Sequence, residues 1–167
     1  MTEIELRQAM PADTAAIERI ARRAWHATYD ELLGADVVDE TVTAWYASEQ
    51  LREDITSPAS VFQLAIEDDD PIGFGHAGPG TTARIAELHR LYVVPGRWGE
   101  GIGRRLFETI ETELRAVGFE AVELAVLADN EVGIGFYEAV GCERIEHRTV
   151  TIGDTDQPEY VYRKPLE

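Results

Sequence analysis

Cysteine and lysine are nearly absent from this chain of 167 residues, which contains one of each, Cys142 and Lys164. A lone cysteine cannot form an internal disulfide and four scattered histidines offer no zinc framework, so we expect a metal-free protein. The chain also lacks an apolar run of about 18 to 20 residues, and residues 1–10 contain no apolar signal core. These absences exclude a membrane span and predict a cytoplasmic, globular protein of one domain, residues 1–167.

Basic side chains are scarce as well: 15 lysines and arginines stand against 32 aspartates and glutamates, and the formal net charge is −17. This balance disfavours a nucleic-acid partner, which requires a basic surface. Repulsion among so many carboxylates destabilises a compact state at low ionic strength, and salt relieves it by screening. We therefore expect a halophilic host, with an acidic protein from a non-halophilic host as the alternative.

Apolar periodicity and turn residues predict the element order β-α-α-β-β-β-α-β-α-β-β, a mixed sheet that carries helices. Asp13 is positioned to cap the first helix, and a second helix lies within residues 36–54. The best-defined helix follows Gly101 and has an apolar residue at every fourth position. The other predicted elements are a short helix at 130–140 and strands at 3–8, 61–66, 72–77, 83–94, 121–127, 143–152 and 159–163.

A glycine-rich segment, residues 95–105, joins the strand at 83–94 to that best-defined helix. Alternate glycines let backbone N–H groups approach an anion closely, and the helix N-terminus adds partial positive charge. The dinucleotide pattern G-x-G-x-x-G fails because its third glycine would fall at Arg104, and the nucleotide-triphosphate loop fails at Ile102 and Gly103. The segment therefore predicts an anion site of another kind.

This segment resembles the pyrophosphate loop of the GCN5-related N-acetyltransferase (GNAT) family, with Trp98, Gly99, Gly101 and Gly103 in the frame of the motif. Trp98 stands where the family has Gln or Arg, and Arg97 lies one residue early. Because such a loop binds mainly through backbone donors, we expect Trp98 to change side-chain contacts without abolishing binding.

A second segment, residues 130–142, resembles the later motif of the family, in which Asn opens a short helix ending in Phe-Tyr-Glu. Here Gly133 replaces the usual Ala, and Cys142 replaces the usual aromatic residue. The resemblance implies an α+β fold, with a mixed, mostly antiparallel sheet of about seven strands flanked by about four helices. It also implies transfer of an acetyl group from acetyl-CoA to a primary amine by direct attack in a ternary complex.

By the same resemblance, Tyr137 lies next to the cofactor sulfur and is the general acid for the departing thiolate. An amine with a pKa of about 10 must lose a proton before it attacks, and we assign this base role to Glu87, with His89 as the alternative. Asn130 contacts the cofactor or caps its helix. The predicted cofactor-binding residues are Leu91, Tyr92, Val93, Trp98, Gly99, Glu100, Gly101, Ile102, Gly103, Arg104, Asn130 and Tyr137.

Charge around the loop also favours an anionic cofactor. Residues 84–105 contain five arginines and two glutamates, a balance of +3, whereas the rest of the chain carries −20. On the amine side, an aromatic stripe in the first helix makes Trp25, His26 and Tyr29 candidates, although such a stripe is more often core.

The motifs concern only cofactor binding, so they leave open whether the amine substrate is a small molecule or a peptide. The alternatives are a non-catalytic acyl-CoA-binding sensor or interaction module, and a protein N-terminal or lysine acetyltransferase. Retention of Tyr137 favours an enzyme. We expect no nucleic-acid or membrane partner, and a homodimer is left open.

Overall fold

The computed structural model describes residues 3–167; Met1 and Thr2, which belong to the segment searched for an export signal, lie outside the described residues. The described chain forms five α-helices and a sheet of seven strands in the order β1-β2-β3-β4-β5-β7-β6. The neighbouring pair β4–β5 is parallel and the other five pairs are antiparallel. The expected mixed, mostly antiparallel sheet is thus confirmed. The elements are β1 (Ile4–Gln8), α1 (Thr14–Leu33), α2 (Ala35–Trp45), α3 (Ser48–Thr56), β2 (Val61–Glu67), β3 (Asp70–Pro79), β4 (Ile85–Val93), α4 (Ile102–Ala116), β5 (Ala121–Leu127), α5 (Glu131–Ala139), β6 (Glu143–Ile152) and β7 (Thr155–Pro165).

The expectation of a single helix within residues 36–54 was wrong. Two helices, α2 and α3, occupy this region, and Ala47 between them has an extended backbone (φ −59°, ψ 138°). No glycine or proline marks the break. The Trp45 carbonyl at the end of α2 instead accepts a hydrogen bond from Arg90 of β4 at 2.8 Å. A contact distant in sequence thus satisfies one of the carbonyls that a helix end leaves free.

The predicted cap by Asp13 was also wrong. Asp13 precedes α1, but its side chain makes no capping hydrogen bond to that helix. Its carboxylate accepts hydrogen bonds from the Arg7 guanidinium at 2.9 and 3.0 Å and from the Met10 N–H at 2.7 Å. The negative charge therefore secures the segment before the helix rather than the first turn of the helix.

Helix α4 lies directly against one face of the sheet. Its stripe of Leu106, Ile110 and Leu114 is fully buried, as the sequence predicts. Gly75 of β3 permits this close approach, since a Cβ there would lie 2.5 Å from the Cδ1 of Ile110. The side chain of Phe74, the residue before Gly75 in β3, points to the opposite face, where helices α1 to α3 pack.

Strands β4 and β5 separate part of the way along their length. Their paired residues run from Ile85 and Ala121 to Glu87 and Glu123, although β4 continues to Val93 and β5 to Leu127. Beyond this point, no strand within residues 3–167 pairs with the facing edges of β4 and β5. The opening between these strand ends holds the site described below.

No helix within residues 3–167 combines the length and apolar character needed to cross a membrane.

Candidate functional site

The separated ends of β4 and β5 form a cleft of about 490 Å³ that extends to the glycine-rich loop and to the start of α5. Two predicted site residues, Glu87 and Glu100, are not among the residues that line it. The predicted site residues that do line it are Leu91, Tyr92, Val93, Trp98, Gly99, Gly101, Ile102, Gly103, Arg104, Asn130 and Tyr137. The structure therefore brings together nearly all of the predicted cofactor residues.

The edge of β4 offers backbone hydrogen-bonding groups to this cleft. The Val94 N–H donates to the Ile72 carbonyl at 2.9 Å, so Val94 faces β3. Because the direction of these groups alternates along an antiparallel strand, the N–H and C=O groups of Leu91 and Val93 face the cleft. The Val93 carbonyl accepts a hydrogen bond from the Trp98 indole Nε1 at 2.8 Å. Trp98, which replaces the Gln or Arg of the family, is thus hydrogen-bonded to strand β4.

The loop before α4 has the form of an anion cradle. Gly99 and Gly101 both have a φ of +84°, a conformation that glycine adopts without strain. A Cβ at either position would meet no atom within 4 Å, so open space lies beside both. The first hydrogen bond of α4 runs from the Arg105 N–H to the Gly101 carbonyl, which leaves the N–H groups of residues 102–104 free. These donors suit a pyrophosphate.

The arginines around this loop differ in how they are neutralised. Arg97 forms a bidentate pair with Glu67 at 2.7 and 2.8 Å and also donates to Glu100. Arg84 and Arg90 likewise pair with carboxylates, whereas Arg104 and Arg105 donate to backbone carbonyls. Among the described residues, the positive charge that sequence alone spreads over five arginines is therefore concentrated on the two at the start of α4.

Asn130 has two structural roles at the start of α5. Its Oδ1 accepts a hydrogen bond from the Gly133 N–H at 2.8 Å, so the predicted cap is confirmed. Its Nδ2 donates to the Tyr29 hydroxyl of α1 at 3.1 Å. A Cβ on Gly133 would lie 2.6 Å from that Nδ2, which explains why the usual alanine is missing. Asn130 therefore links the helix after β5 to the helix on the other side of the cleft.

Tyr137 lies on the cofactor side of the cleft, on α5. Its ring packs against Phe136, at a centroid distance of 5.2 Å, and against Phe107 at 6.5 Å. Burial raises the pKa of Tyr137 well above the ordinary value of 10.0. The phenol therefore stays protonated at neutral pH and can donate its proton or a hydrogen bond.

A β-bulge shapes the opposite wall. His76 of β3 pairs with Arg90 and Ala77 pairs with Leu88, so His89 is an extra residue in β4. As a result both His89 and Arg90 contact His76, with a ring distance of 4.9 Å for His89 and 3.3 Å between Arg90 Nη1 and His76 Nδ1. Burial lowers the pKa of His76 to about 3, so its neutral ring accepts this bond from Arg90.

His89, the alternative base, lines this cleft, which Glu87 does not. Loss of hydration lowers the pKa of His89 below 6.5; Glu87 opposes this shift and the charge of Arg90 adds to it. The imidazole is therefore neutral at pH 7 and able to accept a proton.

Other residues of this wall were missed or only weakly indicated by the sequence. Trp25 and Tyr29 line the cleft, but His26 does not; it lies between Asp30 and Asp39 at 2.6 and 2.7 Å. Glu159 of β7 also lines the cleft, is 8% exposed and pairs with Arg148 at 2.6 Å. Its signal in the sequence is a carboxylate at the start of the aromatic-rich strand predicted at 159–163.

A second cavity of about 460 Å³ adjoins the cleft and shares Trp25, Trp45, His89 and Tyr92 with it. We call it the inner cavity. Tyr46 and Asp54 also line it, and Asp54 pairs with Arg90 at 2.8 Å. Trp45 is 45% exposed and lines both cavities.

Within residues 3–167, no group of three or more His, Cys, Asp or Glu side chains is arranged to hold a metal ion. Cys142 is buried, and burial raises the pKa of its thiol to about 12. The titratable side chains that line the cleft are His89, three tyrosines (Tyr29, Tyr92 and Tyr137), Arg97, Arg104 and Glu159.

Known proteins with the same features identify the family. The acetyltransferase (GNAT) family model matches residues 15–142. Spermidine N(1)-acetyltransferase of Thermoplasma acidophilum is 27% identical over 168 residues, which cover 98% of either chain. Mycothiol acetyltransferase of Rhodococcus erythropolis is 29% identical over 143 residues, which cover 80% of this chain and 44% of that protein.

A solved structure gives the same result. The crystal structure of PaiA N-acetyltransferase from Thermoplasma acidophilum in complex with coenzyme A superposes with a TM-score of 0.86 at 26% identity, covering 98% of this chain and 99% of that one. The glycine loop, the separated strands and the family model agree. The chain belongs to the GNAT acetyltransferase family and is an acyltransferase with acetyl-CoA as its cosubstrate.

Proposed function

We propose that this protein transfers the acetyl group of acetyl-CoA to the primary amine of a small molecule by direct attack in a ternary complex. The observation that carries the proposal is the composition of the cleft: a protonated Tyr137 on one wall and a neutral His89 on the other, with the free edge of β4 between them. Acid and base therefore face the same open space.

The loop and β4 bind different parts of the cosubstrate. The free N–H groups of residues 102–104 and the glycines before them hold the pyrophosphate, and Arg104 adds positive charge. The backbone groups of Leu91 and Val93 bind the acyl arm and polarise its carbonyl. Val93 has its carbonyl engaged by Trp98, so its N–H is the group left for the arm.

One residue from each wall of the cleft carries out a proton transfer. His89 accepts the proton that the amine nitrogen loses before it bonds to the acetyl carbon, and Tyr137 protonates the sulfur as the carbon–sulfur bond breaks. From the sequence, Glu87 is the expected base. The position of His89 on the cleft and its lowered pKa support His89 instead, and Glu87 acts on it through its charge.

A cationic small molecule fits the charge of this protein. The net charge of −17 attracts ammonium groups. Spermidine is the first amine to test, because the relative from Thermoplasma acidophilum is named for it. Aromatic side chains on the amine side, Trp25 and Trp45, add surface for aliphatic segments and for cation–π contacts.

The decisive experiment measures thiol release by the purified protein with acetyl-CoA and a panel of amines, at low and high salt. The panel contains spermidine, simple monoamines, a lysine peptide and a peptide with a free N-terminus. Release with a small amine supports the proposal. Release with peptides alone would make this a protein acetyltransferase, and tight coenzyme A binding with no release would make it an acyl-CoA-binding module.

A further inference from the structure

The carboxylate in the cleft is already paired with an arginine of the chain. Within residues 3–167, Glu159 is the only carboxylate that lines the cleft, and its Oε1 accepts a hydrogen bond from the Arg148 Nε at 2.6 Å. The Glu159 side chain is 11% exposed and the Arg148 side chain is 50% exposed. An ammonium group that approached Glu159 would therefore have to compete with the guanidinium of Arg148.

The inner cavity is neutralised in the same way. Among the described residues that line it, Asp54 is the only carboxylate, and it pairs with Arg90 at 2.8 Å. The C-terminal end of α2 would also attract a cation through its free carbonyls, but Arg90 donates to the Trp45 carbonyl at 2.8 Å. A second cation in this cavity would meet the Arg90 guanidinium beside a carboxylate that already has a partner.

The wall that the two cavities share is aromatic. Its residues are Trp25, Trp45, His89 and Tyr92. Trp45 is 45% exposed and packs edge-on against Trp25, with ring centroids 5.5 Å apart and an interplanar angle of 88°. The exposed part of the Trp45 indole is free to contact an apolar group, and contacts between aromatic rings stabilise a complex beyond the area that they bury.

We propose that the amine side of the cleft selects a primary amine with a single positive charge and an apolar body, such as an aromatic ring, which packs against Trp45. This inference rests on the proposed function and names the class of amine that the cleft accepts. The net charge of −17 draws ammonium groups towards the protein, but both carboxylates that line the cavities in the described part of the chain are already paired. Transfer of a second ammonium group out of water without a free counter-ion is unfavourable, so diamines and polyamines rank below monoamines.

The test compares hexylamine with 1,5-diaminopentane, which have equal numbers of non-hydrogen atoms and differ in a terminal methyl or ammonium group. Dissociation constants are measured by calorimetry with the full chain saturated with coenzyme A, so no turnover is needed. Potassium chloride at about 1 M screens the long-range attraction of the net charge. We expect hexylamine to bind about tenfold more tightly than the diamine. Equal or tighter binding of the diamine overturns the inference.

Variants of the Glu159–Arg148 pair test the neutralisation directly. Arg148→Gln frees the Glu159 carboxylate and should strengthen binding of the diamine alone, which brings the two dissociation constants closer together. The double variant Arg148→Gln/Glu159→Gln removes the pair without changing the net charge and should keep the wild-type ratio; it decides the matter if Arg148→Gln unfolds. Weaker diamine binding in the double variant would show that Glu159 binds the second ammonium group. That result, or an unchanged ratio in folded Arg148→Gln, overturns the inference.

Trp45→Ala tests the apolar contact. The affinity for 2-phenylethylamine should fall by about tenfold, whereas Trp45→Phe keeps an aromatic ring and should retain most of it. An unchanged affinity in Trp45→Ala overturns the inference. Thiol release from acetyl-CoA is measured separately: a protein that acetylates diamines as readily as monoamines retains the proposed function and loses only this inference, and one that acetylates no amine loses the proposed function and this inference with it.

Discussion

The side-chain amide of Asn130 donates a hydrogen bond to the hydroxyl of Tyr29 over 3.1 Å and thereby joins α5 to α1 across the cleft. The same amide caps α5 through the Gly133 N–H. Both bonds require the space that Gly133 leaves, because a Cβ there would lie within 2.9 Å of two Asn130 atoms. The bridge between the two walls thus depends on a glycine.

Replacing this glycine should remove the bridge. We expect Gly133→Ala to displace Asn130 and lose a cap worth about 1 kcal/mol, which cancels the gain of about 1 kcal/mol in helix propensity. Gly135→Ala is the matched control, since it lies on the same helix and its Cβ meets nothing within 4 Å. Urea unfolding should show Gly133→Ala to be less stable than Gly135→Ala by about 1 kcal/mol. Equal stabilisation by the two substitutions would contradict the bridge.

Tyr137→Phe should separate turnover from binding. Only the interaction with the leaving thiolate is lost, so kcat should fall by about 100-fold or more while the coenzyme A dissociation constant changes less than about threefold. Steady-state kinetics and calorimetry measure the two quantities. Because burial keeps Tyr137 protonated, its titration should cause no loss of wild-type activity as the pH rises to about 10. A kcat unchanged in this variant would remove Tyr137 from the chemistry.

The pH dependence of kcat at saturating amine should identify the base. The pKa of His89 is lowered, so the active neutral form is lost only as the pH falls through a value below 6.5, and kcat should reach its plateau above that point. His89→Gln should abolish this inflection and lower the plateau. Glu87 raises the pKa of His89, so Glu87→Gln should move the inflection to lower pH without abolishing it. The opposite pattern, with the inflection lost only in Glu87→Gln, returns the base role to Glu87.

Coenzyme A should bind with its pyrophosphate at the loop before α4. Gly101→Glu adds a carboxylate to the loop and places a side chain on a backbone with positive φ, which is strained. We expect the affinity for coenzyme A to fall by about 100-fold or more. Gly96→Glu makes the same charge change outside the cleft and should have little effect. Gly101→Asn tolerates the left-handed backbone without added charge, so it should bind better than Gly101→Glu. If calorimetry gives Gly101→Glu the affinity of the parent protein, the pyrophosphate binds elsewhere.

Salt should raise the stability of the fold and lower the affinity for coenzyme A. Raising potassium chloride from about 0.1 M to about 1 M shortens the Debye length from about 10 Å to about 3 Å, so the unfolding midpoint should rise as carboxylate repulsion is screened. The coenzyme A affinity should fall only modestly, because Arg97 is already paired and the loop binds through backbone donors. Thermal unfolding and calorimetry across a salt series measure both. A midpoint that does not rise would remove the reason to expect a halophilic host.

Local patterns in the sequence determined much of this protein. The stripe on α4, the glycine spacing before it and the Asn that opens α5 each depend on residues close together in the chain. Their physical causes are short-range: helical periodicity, the positive φ that glycine allows and hydrogen bonds across a single helix turn. The family and the cosubstrate followed from these patterns, and so did eleven of the residues that line the cleft.

Tertiary structure alone decided what surrounds the wall of the cleft that contains His89. The bulge that turns both His89 and Arg90 towards His76, the Arg90 contact that ends α2, and the pairing of Arg97 with Glu67 join residues from separate elements. Periodicity reports which face of its own element a side chain occupies, but not what that face meets. Burial, ion pairing and pKa depend on those distant neighbours, which is why Glu159 emerged as part of the cleft only when the strands and helices were packed together.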